Sequence, residues 1–153
     1  MKIEEMVFEM PGPRIGQEDI VKVETAIGAA LPNDYKRFLL LYNGGISKLC
    51  VSADPFVRIR EWMSVCEHED LPRIVSLLAA RKRLITDIDK FAQDFLAIGE
   101  LPFGQLLLVT KLIGQDAYRI GIWDLEEPWR KIELPFSSFT DLVNHFTQTD
   151  DFI

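Results

Sequence analysis

A chain of 153 residues that is 48% hydrophobic and 27% charged has the size and composition of one globular domain, and these values exclude the low-hydrophobicity signature of disorder. With 24 acidic against 17 basic residues the net charge is -7, which repels phosphate backbones and anionic membranes, so nucleic acid and membrane are excluded as expected partners and cationic surfaces are favoured. Cys50 and Cys66 show no CxxC spacing, and the N-terminus has no positive flank ahead of an apolar run, which predicts a cytoplasmic chain with reduced thiols.

The apolar entry at Met6–Met10 stops at Pro11-Gly12-Pro13, where proline removes the amide donor and fixes its own φ. Ile20, Val23, Ile27 and Leu31 then recur at helical spacing, with Glu18 and Asp19 at the positive end of a first helix. A second helix opens at Pro32 or Asn33 and carries the stripe Tyr35, Phe38, Leu39, Tyr42. Gly44 or Gly45 supplies the left-handed residue that ends it, and Asn43 can cap. The period next changes: Leu49–Val51 and Phe56–Ile59 read as short strands, the second continuing through Trp62 and Val65.

Pro72 precedes a short helix carrying Ile74, Leu77 and Leu78 and ending in the basic turn Arg81–Arg83, while the type of 87–95 stays open. Leu96–Ile98, Leu106–Thr110, Tyr118–Trp123 and Lys131–Leu134 are separated by Gly, Pro and Asp clusters at hairpin spacing, which predicts an antiparallel meander. Ser137 or Ser138 caps a last helix with the stripe Phe139, Leu142, Val143, Phe146, and Thr147–Ile153 is expected to be a frayed polar tail. The fold class is α+β: a mainly antiparallel sheet covered by N-terminal and C-terminal helices, as one domain over 1–153.

The segment Leu31-Pro32-Asn33-Asp34-Tyr35-Lys36-Arg37-Phe38-Leu39, followed by Asn43-Gly44-Gly45, resembles the signature of the SUKH superfamily, which also contains yeast cell-wall-synthesis regulators. Ile98-Gly99 with Gly104, then Ile122-Trp123-Asp124, then Ser137–Phe146 resemble the later landmarks in the same order. The resemblance covers roughly 17–147 and departs at Glu61–Asp94, where Trp62, Met63 and Arg81–Arg83 match no landmark and where partner choice is expected to lie. It implies a mixed α+β fold. It also implies a non-catalytic protein that binds a cognate toxin domain, and the negative charge makes a basic nuclease the expected kind.

The chemistry visible in the residues agrees with a binding role. The chain has no phosphate loop, dinucleotide fingerprint, nucleophile elbow or zincin motif. His145 lies beside Val143 and Phe146 in a structural setting, and His68 sits among acids. Cys66 and His68 with Cys50 or Glu67 do not make a regular four-ligand zinc set, so no metal or cofactor is expected. Glu67, Glu69 and Asp70, together with Asp124, Glu126, Glu127 and Trp129, are the candidate partner-binding residues: acidic loop positions around one aromatic anchor. Two alternatives stand beside an immunity protein of this kind, a monomer by default. One is a regulatory scaffold of the same fold with an endogenous partner. The other is an enzyme using Asp87 and Asp89 or Glu126 and Glu127 as acid and base.

Overall fold

The computed structural model describes residues 1–27, 29–65, 95–110, 117–124, 126–127 and 132–150. These residues contain an eight-stranded antiparallel sheet: β1 (Phe8–Pro11), β2 (Gly45–Ala53), β3 (Phe56–Trp62), β4 (Phe95–Leu101), β5 (Gln105–Thr110), β6 (Arg119–Asp124), β7 (Glu133–Phe136) and β8 (Thr147–Thr149). From β2 to β7 the strands pair in chain order, the arrangement a meander demands. β1 and β8 share the outer edge of β2, β1 along Gly45–Ser47 and β8 along Leu49–Val51, while β3 takes the other edge. The α-helices among the described residues are α1 (Gln17–Ile27), α2 (Asn33–Leu41) and α3 (Phe139–His145). The α+β class read from the sequence holds.

Helix α2 buries Tyr35, Phe38 and Leu39, and α3 buries Phe139, Leu142 and Val143, so the two stripes face one core. Phe38 is its hub, with ring centroids 4.9 Å from Phe139, 5.2 Å from Trp62, 5.7 Å from Tyr42 and 5.8 Å from Phe8. The tilted geometries suit the ring quadrupoles, which disfavour face-to-face sandwiches. Trp62 donates its indole hydrogen to Ser47 Oγ at 3.1 Å, which permits its burial. Trp62 and Met63 are therefore core residues, a correction to the expectation that they sit in a region of partner choice; both are 4% exposed.

A carboxylate joins the two helix starts. Asp34 Oδ2 accepts from the amide and the hydroxyl of Thr140, each at 2.9 Å, and Oδ1 accepts from the Tyr35 amide at 2.8 Å. Orphan N–H groups at both N-termini thus gain one anionic acceptor. Of the two serines proposed as cap for α3, it is Ser138 that accepts from the Asp141 amide, at 3.0 Å, and Asp141 reciprocates by accepting from the Ser137 amide at 2.9 Å.

Between α2 and β2 the backbone turns through three consecutive left-handed residues, Asn43 (φ 47), Gly44 (φ 70) and Gly45 (φ 93). A β-carbon on Gly44 would strike the Met63 carbonyl and one on Gly45 the Met10 carbonyl, so both positions require glycine for space as well as for φ. Asn43 is fully buried, and its amide is satisfied from three directions. Nδ2 donates to the carbonyls of Pro13 (2.7 Å) and Val65 (3.0 Å), and Oδ1 accepts from the Val65 amide (2.9 Å). β3 ends at Trp62; Val65, expected within it, is instead bound by this side chain.

The C-terminal segment departs from expectation as well. Thr147–Thr149 is a strand, not a frayed tail, because β2 offers an unpaired edge that any extended segment can use. Gln148 fills the gap between the two terminal strands: its Oε1 accepts from the Val7 amide at 2.7 Å and its Nε2 donates to the Val7 carbonyl at 3.1 Å. Lys48 Nζ meets Asp150 Oδ1 at 2.8 Å just beyond.

Two consequences are measurable. Asn43→Ala leaves the buried amide and carbonyl of Val65 and the carbonyl of Pro13 without this partner, and urea unfolding is expected to show a loss of about 2 to 4 kcal/mol. Burial pushes the Cys50 thiol above its ordinary 9.0, outweighing hydrogen bonds from Ser47 and Gln148, and burial followed by the Glu4 charge pushes the Tyr42 phenol above 10.0. Both acids are held neutral by the fold, so their contribution is complete below the unfolded values and is lost as pH rises through the folded ones. Unfolding free energy measured against pH should begin to fall above about pH 9, with the earlier part of that fall absent in Cys50→Ala.

Candidate protein-binding surface

The β4–β5 connection, Pro102-Phe103-Gly104, turns the chain with two left-handed residues, Phe103 (φ 64, ψ 33) and Gly104 (φ 73). Glycine suits that region; a bulky aromatic in it is rare and costs about 1 kcal/mol. Phe103 nevertheless stands 91% exposed, so no burial in the fold offsets the cost. On the neighbouring hairpin, β2 passes to β3 through Asp54 and a cis Pro55, and Phe56 follows at 67% exposure.

β3 and β4 are adjacent, so these two aromatic residues flank one groove of about 220 Å³. Val57, Leu101 and Pro102 give it an apolar floor, and Arg58 and Gln105 give it polar edges. A second groove, about 290 Å³, adjoins it through Arg58 and Leu101 and reaches Arg60, Glu61 and Glu100. Arg60 is engaged with Glu9 at 3.0 Å, whereas Arg58 forms no ion pair with any described residue.

The acids proposed from the sequence fall partly beside this groove. Asp124 is the register partner of Gln105, and its Oδ1 accepts from the Glu126 amide at 2.9 Å, folding the chain back on itself after β6. That turn lays Glu126 over Gly104, whose β-carbon position is 3.4 Å from Glu126 Cγ. Glu126 is exposed; Glu127 and Asp124 are half-buried. Glu67, Glu69, Asp70 and Trp129 lie outside the described residues, as do Cys66, His68, Asp87 and Asp89 and the helix expected over Ile74–Arg83.

Beside the aromatic anchor expected at Trp129, which lies outside the described residues, the structure adds two exposed aromatics that periodicity did not single out, Phe56 and Phe103. A signal existed: both neighbour a proline at a turn between strands, where an aromatic side chain has no core to enter. His145 has a structural setting: Nδ1 lies 2.8 Å from the Asp141 carbonyl and the ring packs edge-on against Phe136 at 5.2 Å. Cys50 is buried. Among the described residues no three His, Cys, Asp or Glu side chains gather closely enough to hold a metal ion. No helix among them is long and apolar enough to cross a membrane.

Fold and surface together define an α+β sheet domain that displays aromatic and acidic side chains from neighbouring turns at one end. The chain belongs to the SMI1 / KNR4 family (SUKH-1), whose model matches residues 14–145. The match takes in α1, α2, α3 and the sheet from β2 to β7, while β1 and β8 lie outside it. No curated protein matches the chain.

The cost carried at position 103 can be measured. Phe103→Asn places a residue tolerant of left-handed φ at an exposed turn, so urea unfolding should show stability unchanged or raised by up to about 1 kcal/mol. Phe38→Ala, at the hub of the core, is expected to lose about 3 to 5 kcal/mol in the same measurement.

Proposed function

We propose that this chain is a non-catalytic, cytoplasmic immunity protein that binds a cognate toxin domain and blocks that domain's access to its substrate. Membership of the SMI1 / KNR4 family is the observation that carries the reading, since SUKH domains are generally non-catalytic immunity or regulatory domains. The exposed turn acids and the net charge of -7 support a basic partner, and a nuclease whose active site attracts phosphate has that character. Occlusion then needs no chemistry from the chain, only a complementary surface held in place by the sheet. Glu126, considered above with Glu127 as an acid and base, suits this role because it is exposed on a turn where a partner can reach it.

The test is co-expression with the C-terminal domain of a large secreted protein encoded beside this chain, where one is found, with growth compared against an empty vector. Restored growth with a purified complex is the expected outcome. The association rate should fall at least about tenfold between low and high salt, because complementary charge raises encounter rates by about 10 to 1,000-fold. Continued killing with no complex would reject immunity toward that toxin and favour an endogenous protein as the regulated partner.

A further inference from the structure

We infer that the groove between Phe56 and Phe103 seats one apolar side chain of a basic polypeptide, with the polypeptide's cations lying on the Gly104 side of the groove. The inference deepens the protein-binding reading above and rests on it. Three independent features of the hairpin ends point the same way.

The first is the residue at position 103. The turn needs left-handed backbone there, which glycine or asparagine adopts readily, yet the position holds phenylalanine with its ring in solvent. A strained, exposed aromatic is explained by what it contacts outside the fold, since within the fold it makes no ring contact with any described residue.

The second is the groove's shape and lining. Val57 and Leu101 are buried residues of the sheet, so the floor is preformed, and about 220 Å³ suits a single large side chain better than a helix or strand. Phe56 and Phe103 on its rim can meet an inserted ring edge-on or offset.

The third is the charge on its two flanks. Asp124 and Glu126 lie on the Gly104 side, with Glu126 packed over Gly104, while Asp54 sits in the β2–β3 turn beside Phe56. Arg58 borders the opposite flank, where the adjoining groove leads to Glu61 and Glu100. Cations carried by a partner are therefore attracted on one side of the inserted residue and repelled by Arg58 on the other. A second copy of the chain, at net charge -7, or an anionic bilayer would meet repulsion at the same rim. A basic polypeptide is attracted by Asp124 and Glu126 on the Gly104 side and is opposed by Arg58 alone among the residues that line the groove.

The experiment uses the intact chain, labelled with ¹⁵N, and the synthetic peptide Lys-Lys-Phe-Lys-Lys as probe, with Lys-Lys-Gly-Lys-Lys as control. Saturable shifts confined to the amides of Phe56, Phe103, Gly104, Gln105 and Glu126 are expected, with the glycine peptide at least tenfold weaker. Phe103→Asn and Phe56→Ser should each weaken the phenylalanine peptide at least fivefold while the remaining spectrum is retained. Asp124→Asn combined with Glu126→Gln should weaken both peptides equally and remove the salt dependence. Equal binding of the two peptides, shifts spread over other acidic faces, or affinity unmoved by both aromatic substitutions would overturn the inference. Failure of growth rescue with groove binding intact would count against immunity alone, and rescue retained by a chain whose groove binds nothing would count against the groove alone.

Discussion

The path of β2 depends on a buried side-chain amide. Asn43 turns the chain out of α2 in left-handed conformation and holds Pro13 and Val65 through three hydrogen bonds, so the start of β2 and the exit of β3 are set by the same residue. β2 in turn carries β3 on one edge and both terminal strands on the other. A shift of one residue at this corner would exchange the faces of β2 and place Cys50 in solvent and Lys48 in the core. The glycines that follow leave no room for such a shift, because the backbones of Met10 and Met63 lie directly against them.

The same sheet delivers the candidate surface. Hairpin pairing brings Phe56 to the start of β3, Phe103 to the turn between β4 and β5, and Glu126 to the turn after β6, so three turns distant in sequence come to one end of the sheet. The sheet supplies rigid support while the turns supply the chemistry, a division common at recognition sites. Stability and function pull apart at Phe103, where the fold tolerates a costly conformation on an exposed ring.

Much of the core was legible from one dimension. Tyr35, Phe38, Phe139 and Leu142 follow helical spacing and face the sheet as that spacing requires, and the meander strands are separated by residues that break pairing. Two misreadings have a common origin. Thr147–Thr149 has no apolar alternation, since its pairing uses backbone groups and the Gln148 amide, neither of which leaves a hydrophobic pattern. Trp62 appeared unplaced because its polar partner, Ser47, comes from the facing strand.

The amino-acid order alone determined the α+β class, the helix stripes, the stop at Asn43-Gly44-Gly45 and the acidic character, because periodicity, turn chemistry and charge are local or additive properties. Only the tertiary structure decided that β1 and β8 share one edge of β2 and that Asn43 joins three segments. It also decided that Phe56 and Phe103 stand at one groove beside Asp124 and Glu126. Those relations arise from pairing across long stretches of chain, where a backbone hydrogen bond has the same form whatever the side chain and so leaves no mark in the sequence.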